Sequence, residues 1–177
     1  MALKHYTASA DTTIVNAYQP NLVTRGTGAN MGFADVVETF SVYGRQATGS
    51  QELSRILIQF PIATIITDRA AGTIPASGSA TFYLRMYNAQ HSKTVPEDFS
   101  LSVLPVAQSW QEGVGLDLET YKDLTKGNTG ANWMSASNSA YWTDINDTLL
   151  AGGSYHTGAA NADVDTEIFT FNQTLST

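Results

Sequence analysis

The sequence has no cysteine among its 177 residues. The fold therefore cannot depend on disulfides, and thiol catalysis and thiolate metal sites are excluded. Charged residues are also scarce, at 14%, against about a quarter in ordinary globular proteins. Lys and Arg together number only 9, and they are scattered rather than clustered, so no basic patch can follow a phosphate backbone. We therefore expect no nucleic-acid partner.

Long apolar stretches are missing as well. No run approaches the roughly 20 apolar residues that a membrane span needs, and residues 1–10 contain no apolar signal core. We therefore expect no membrane partner, and synthesis in a cytoplasm unless a signal peptide has been removed. If the chain acts outside a cell, a virus particle is one route that needs no signal peptide.

What the sequence does contain is a supply of short alternating segments. Residues 54–60 place Ile56, Ile58 and Phe60 on one side and polar or aliphatic residues on the other, and Pro61 ends the run. Residues 62–67 fit either a strand or a helical turn. Further strands are predicted at residues 12–15, 38–43, 80–87, 99–103 and 164–171.

Strands separated by turns, without a convincing amphipathic helix between them, predict an all-β fold. We expect an antiparallel β-sandwich, jelly-roll-like, with long ordered loops. The length suits one domain with a core of its own. We divide the chain into an N-terminal arm at residues 1–13 and a single β-sandwich domain at residues 14–177. Within that domain, residues 109–158 form a loop-rich excursion with little periodicity.

Several segments then occur in a suggestive order. Residues 52–60 place an arginine before an aliphatic run that ends in phenylalanine, and the strand predicted at 80–87 follows. Next come Trp-Gln-Glu-Gly at 110–113, Gly-Ala-Asn-Trp at 130–133 and Tyr-Trp at 141–142. This succession resembles DNRLRE-type jelly-roll modules over roughly residues 10–145.

Such modules occur in secreted carbohydrate-active proteins, in cell-wall proteins and in structural proteins of tailed bacteriophages. The Thr-Arg-Gly-Thr-Gly loop at residues 24–28 makes this chain most similar to the phage group. The family's modules often continue into further strands where this sequence stops at Thr177. The missing strand would then come from a partner or from sequence beyond that residue.

The resemblance implies a non-enzymatic virion structural protein of a tailed phage. We expect a head decoration or cement protein that binds the major capsid protein or other virion proteins, with a tail component as the other option. Copies would form a homo-oligomer on the particle. The arm has β-branched residues and few charges, which suits addition of a strand to a neighbour's sheet. The residues expected to contact a partner are Tyr6, Thr12 and Ile14 in the arm, and Trp110, Asn132, Trp133 and Trp142 in the excursion.

The alternative is a carbohydrate-binding module or a tail-fibre adhesin, in which aromatic rings stack on a glycan. Trp110, Trp133 and Trp142 could form such a platform. Because aromatic side chains dominate protein cores, we favour the interpretation in which they fill one end of the sandwich. The two hypotheses differ in the exposure of the indoles.

We predict no enzymatic activity. His5, His91 and His156 are far apart in the sequence, without the spacing of metal ligands. Ser154 lacks the Gly-x-Ser-x-Gly context of a nucleophile elbow. A glycosidase needs two opposed carboxylates, and 16 acidic residues give no reason to select a pair.

No cofactor is predicted, although calcium stays open as a ligand. Glu112, Asp117, Glu119 and Asp123 lie close together in the sequence and carry the hard oxygen ligands that calcium prefers. Their spacing does not match an EF-hand loop. We therefore favour solvated loop carboxylates over a metal site.

Overall fold

The computed structural model describes residues 3–44, 47–76, 78–90, 98–116, 130–156 and 169–174, and the side chains of 98–100 and 169–174 are not considered. Strand pairing in these ranges is antiparallel throughout. One sheet has the order β1–β3–β2, and β4–β7 and β5–β6 are two-stranded. The elements are β1 (Ala10–Val15), β2 (Ser41–Tyr43), β3 (Gln51–Gln59), α1 (Ile62–Ala70), β4 (Asp98–Val103), β5 (Ser135–Ser137), β6 (Ala140–Tyr141) and β7 (Phe169–Thr174). The regular structure is therefore mostly strand, in small antiparallel sheets, with one short helix.

The pairing of β1 with β3 organises the largest sheet. Thr12 lies opposite Leu57, and Ile14 lies opposite Arg55. The strands predicted at residues 12–15 and 54–60 are thus confirmed, and β3 ends before Pro61 as expected. Leu57 is the buried residue in the middle of β3, whereas Ile56 and Ile58, on the other face, are only half-buried.

Strand β1 is covered on both of its faces. Ile14 packs in a cluster with Leu57, while Val15 packs in a second cluster with Met31. Residues 10–13, predicted to belong to the arm, are part of this strand, and Thr12 is fully buried. Since alternate side chains of a strand point to opposite faces, burial of successive residues means that other segments lie on both sides.

The first of these clusters draws most of its side chains from the excursion. Residues 130–156 supply Ala131, Trp133, Ala136 and Trp142 to it. Trp110, from the preceding segment, packs against the cluster while only partly buried. This part of the predicted excursion is therefore a wall of the core as well as a set of surface loops.

The other predicted elements had mixed outcomes. The strand at residues 99–103 is confirmed as part of β4, while the one at 38–43 shortens to β2. The open choice at residues 62–67 is settled as helix α1, which buries none of its side chains. The strand predicted at 80–87 is wrong for this structure, because these residues lie in no strand. The strand predicted at 164–171 overlaps β7 only at its end, and the rest of it lies outside the described residues.

No helix in the described part of the chain is long and apolar enough to cross a membrane.

Candidate functional site

The buried side chain of Asn30 links three segments that are distant in sequence. Its Nδ2 atom lies 3.2 Å from Oγ1 of Thr12, 2.8 Å from the carbonyl oxygen of Glu112 and 2.6 Å from that of Ala131. Two N–H groups therefore serve three acceptors. Because Asn30 is only 1% exposed, these bonds are shielded from competing water, and they join β1 to two separate points of the excursion, residues 112 and 131.

The carbonyl oxygen of the same amide completes the junction. It accepts the backbone N–H groups of Gly32 at 3.0 Å and of Gly115 at 2.9 Å. The backbones approach each other closely. A Cβ atom on Gly32 would lie 2.0 Å from the backbone carbonyl oxygen of Glu112, and a Cβ atom on Gly115 would lie 2.1 Å from the backbone carbonyl oxygen of Asn30. We call Asn30 and these partners the Asn30 junction. The Asn30 junction holds the first residues of the excursion, 112–115, against the sheet.

Two tryptophans and a turn form the inner wall of the excursion. Trp142 is fully buried, and Trp133 is 7% exposed. The Nε1–H group of Trp142 donates to the carbonyl oxygen of Asn132 at 2.8 Å. Oδ1 of Asn132 accepts the backbone N–H groups of Met134 and Ser135, each at 2.9 Å. Asn132 therefore shapes the turn before β5 rather than facing a partner.

Arg55, the arginine of the segment at residues 52–60, is held between two rings. Its guanidinium lies 5.1 Å from the ring centre of Trp133 and 5.0 Å from that of Tyr155. Its Nη1 atom donates to the carbonyl oxygen of Gly152. Cation–π contacts of this kind stabilise by about 0.5–2 kcal/mol, more when they are shielded from water. The arginine thus fastens residues 152–155 to β3.

Arg25, in the Thr-Arg-Gly-Thr-Gly loop, has a comparable role. Its Nη1 atom donates to the carbonyl oxygens of Asn16 at 2.8 Å and Gln51 at 2.9 Å. Its guanidinium stacks 3.8 Å from the ring centre of Tyr18. The loop is therefore fastened to the end of β1 and the start of β3, so its arginine is occupied within the domain.

The N-terminal segment contacts helix α1. The hydroxyl of Tyr6 donates to Asp68 Oδ2 at 2.7 Å, and Lys4 Nζ lies 3.1 Å from the same oxygen. The hydrogen bond from Tyr6 and the charge of Lys4 lower the pKa of Asp68. Burial and the neighbouring Asp68 raise the pKa of Tyr6. In this structure the segment from Lys4 to Tyr6 lies against its own domain.

The predicted calcium ligands are only partly placed. Asp117, Glu119 and Asp123 lie outside the described residues. Oε1 of Glu112 accepts the backbone N–H of Asp11 at 2.8 Å. Burial, and then the nearby Glu112 carboxylate, raise the pKa of Asp11. Within the described ranges, no three His, Asp or Glu side chains are grouped as metal ligands would be.

Large apolar side chains are exposed in several places. On α1, Ile62 and Ile66 are one turn apart and are 58% and 61% exposed. A second group lies on residues 82–87, and a third at the end of β6 and on the turn that follows it. Their exposed members are Phe82, Tyr83, Met86 and Tyr87 in the second group, and Tyr141, Ile145 and Leu149 in the third.

These placements revise the predicted contact residues. Five of the seven are buried within the domain: Thr12, Ile14, Asn132, Trp133 and Trp142. Tyr6 and Trp110 are half-buried. The residues that are available for contact are instead the exposed apolar ones, which sequence analysis missed because periodicity alone does not say which face is left uncovered.

Comparison with protein-family models, with curated proteins and with solved structures finds no significant match to this chain. The resemblance to DNRLRE-type modules therefore stays a prediction from the sequence.

Proposed function

We propose that this chain is a non-enzymatic structural protein of a tailed-phage virion, and that it decorates or cements the head by binding the major capsid protein. The observation that carries the proposal is the exposure of large apolar side chains on a surface with few charges. The order of sequence segments that resembles DNRLRE-type modules supplies the phage context. Other virion proteins, including tail components, are the neighbouring possibilities within the same proposal.

Exposed apolar groups argue for an interface because soluble monomers rarely leave contiguous apolar patches uncovered. Ile62 and Ile66 are four residues apart on α1, so their side chains lie on the same face. No side chain of α1 is buried, so packing within the described domain does not explain the isoleucines at positions 62 and 66. Covering this face against a capsid subunit would remove both side chains from water.

The mechanism that we propose is bulk association rather than chemistry. Interface cores are apolar and poor in charged residues, which matches the composition of this surface. Each contact is weak by itself, but copies arranged on a symmetric shell bind with an effective concentration that multiplies the affinity. The contacts lie on α1 and on the turn after β6 rather than on the arm, because β1 is built into the sheet.

For the fold we propose a jelly-roll-like sandwich. Antiparallel pairing throughout and a strand β1 that is covered on both faces support this arrangement, since a sandwich packs two layers around a shared core. The tryptophan cluster would fill one end of that core.

The second candidate is glycan binding. The burial of Trp133 and Trp142 withdraws two of the three predicted platform rings, but the side chains of Tyr141 and Tyr155 are 59% and 37% exposed. In this second candidate function, the sugar rings of a glycan would stack on the side chains of Tyr141 and Tyr155.

A co-sedimentation assay tests the proposal. The full chain is mixed with capsids of the virus that encodes it, prepared from a deletion strain that lacks the gene. We expect saturable binding at a fixed number of copies per capsomer, and weaker binding by an Ile62→Lys, Ile66→Lys variant. Val23→Lys is the matched control, because Val23 is 80% exposed on a separate turn. Absence of saturable binding would contradict the proposal, and retention on a polysaccharide array in that case would favour the glycan candidate.

A further inference from the structure

Residues 80–87 have the pattern of a strand without the pairing of one. Phe82, Leu84 and Met86 alternate with Tyr83, Arg85 and Tyr87, yet the segment belongs to no sheet. Its two sides are both open. Phe82 and Met86 are 58% and 46% exposed, and Tyr83 and Tyr87 are 83% and 77% exposed.

The segment nevertheless contains no turn or bend that would prevent it from pairing as a strand. The guanidinium of Arg85 lies 5.0 Å from the ring centre of Tyr87, which fits two residues that share one side of an extended chain. Residues 80–87 pair with no other strand in the described part of the chain. An extended apolar segment with free backbone groups is a template for pairing with another chain.

We propose that residues 80–87 pair with the same segment of a second copy of this chain, antiparallel and across a two-fold axis that passes beside Leu84. In this register Leu84 faces Leu84 of the second copy. Phe82 lies opposite Met86, and Tyr83 lies opposite Arg85. We therefore take the partner strand to be a second copy of this chain, because the order of side chains in residues 80–87 is complementary to itself in this register.

The register follows from the alternation. A shift by one residue would bring the Phe82 side of one segment onto the Arg85 side of the other, since side chains alternate with a period of two. A shift by two residues in one direction would place Arg85 opposite Arg85, where like charges repel. The opposite shift would leave Arg85 facing Thr81 instead of an aromatic ring. Only the proposed register combines a continuous apolar face with an arginine beside Tyr83.

A two-fold contact of this kind uses the same edge of the segment in both copies, so the contact itself closes at two chains. It covers one of the two unpaired edges of the segment, each of which could otherwise recruit an unrelated strand. A two-stranded pair is only marginally stable in water by itself, so the dimer forms at high protein concentration and is reinforced wherever copies are held side by side. The inference is independent of the proposed function, because the dimer is measured without any particle.

Two complementary variants test the register. Phe82→Asp places a carboxylate opposite Met86, and Met86→Lys places an ammonium opposite Phe82, so each variant alone should dimerise roughly tenfold more weakly or worse by sedimentation equilibrium. In an equimolar mixture, the carboxylate introduced at position 82 of one copy faces the ammonium introduced at position 86 of the other, and one Phe–Met pair is kept. We therefore expect the mixture to recover dimer. If the mixture forms no more dimer than either variant alone at the same total concentration, the proposed register is wrong.

Cross-linking gives a second measurement that does not depend on affinity. Because the chain has no cysteine, Leu84→Cys introduces a single thiol that would face itself across the axis, within the roughly 4.4–6.8 Å Cα separation of a disulfide. Tyr83→Cys is the near control, since its thiols would be diagonal neighbours about 7–8 Å apart. Ile145→Cys is the distant control. We expect a covalent dimer under mild oxidation for Leu84→Cys only.

Equal cross-linking of Leu84→Cys and Ile145→Cys would overturn the proposal, because it would indicate random collision. Preferential cross-linking of Tyr83→Cys would contradict the register. Circular dichroism of each variant compared with the unchanged chain checks that the fold is retained. Should Leu84→Cys fail to fold, the Phe82→Asp and Met86→Lys mixture decides the question alone.

Discussion

The Nε1–H group of Trp142 donates a 2.8 Å hydrogen bond to the backbone carbonyl oxygen of Asn132, and both residues are buried. This bond spans the short β5–β6 hairpin and holds the indole against Ile14 of β1 in the same cluster. It explains why an aromatic-rich, weakly periodic segment is ordered: its tryptophan supplies both the apolar packing and the donor that satisfies the turn.

The burial of these indoles predicts the response to a fluorescence quencher. A Trp110→Phe variant retains only Trp133 and Trp142, so its Stern–Volmer constant for acrylamide should fall below that of the unchanged chain, in which the half-buried Trp110 also emits. Trp142→Phe is the matched comparison and should leave the accessible Trp110 emission in place. Quenching of Trp110→Phe as strong as that of free tryptophan would contradict the core and revive a sugar-stacking platform.

The Asn30 junction predicts a large effect of a small substitution. Asn30→Ala removes the amide and leaves the N–H groups of Gly32 and Gly115 without their acceptor in a buried site. Each such orphaned group costs about 1–3 kcal/mol, so we expect the free energy of unfolding to fall by about 3 kcal/mol or more in urea titrations. Asn21→Ala is the control: Oδ1 of Asn21 also accepts two backbone N–H groups, but on an exposed turn. Its effect should stay below about 1 kcal/mol.

Gly130 lies where two backbones touch. Its φ is +109°, and a Cβ there would lie 2.3 Å from Cα of Gly113. Gly130→Ala therefore combines an unfavourable backbone conformation with a steric clash, and we expect a loss of about 3 kcal/mol in thermal or chemical unfolding. Gly28→Ala should be nearly neutral, since nothing lies within 4 Å of its added Cβ. Equal effects of the two substitutions would contradict the close contact of residues 113 and 130.

Asp144 predicts an acid-dependent loss of stability. Its Oδ1 accepts the backbone N–H groups of Asn146 and Thr148, each at 2.8 Å, and these bonds lower the pKa of Asp144. Below the ordinary range of an aspartate, about pH 4, the unfolded chain binds a proton that the folded chain does not. The stabilisation is therefore present above that range and is lost as the pH falls through the folded-state pKa.

Asp144→Asn keeps an acceptor oxygen but removes the charge. We expect the free energy of unfolding of this variant to depend less steeply on pH in the acid range than that of the unchanged chain. Asp147→Asn, in the same turn, is the control for loss of a charge, because the Asp147 carboxylate accepts neither of these two bonds. Parallel curves for Asp144→Asn and the unchanged chain would contradict this role of Asp144.

Sequence alternation and strand-breaking residues correctly predicted the strands that are encoded by their own residues. The β-branched run in β1, the aliphatic run of β3 with Pro61 behind it, and the strand at β4 all came from alternation and breakers. The same rule failed at residues 80–87, because alternation reports a capacity to pair and not the presence of a partner. Local alternation also does not say which face of β3 is buried, since Leu57 packs with tryptophans that follow it by more than seventy positions in the sequence.

The site was less predictable than the strands. Asn30 sits in a glycine-rich loop that gives no periodic signal, and its acceptor at Glu112 is 82 residues away. The local sequence of residues 25–33 therefore predicts only an irregular loop. The tryptophans were singled out by their chemistry, and the preference for packing over sugar stacking followed from general aromatic behaviour. What the sequence could not supply was which exposed apolar residues, such as Ile62 and Ile66, remain uncovered.

Cryo-electron microscopy of the particle that carries this chain decides whether the chain covers a viral shell, as we propose. We expect density for the chain at regular lattice positions, with α1 or the turn after β6 against capsid subunits and Trp142 inside the domain. Particles that contain the other virion proteins but lack this chain at any regular position would contradict it.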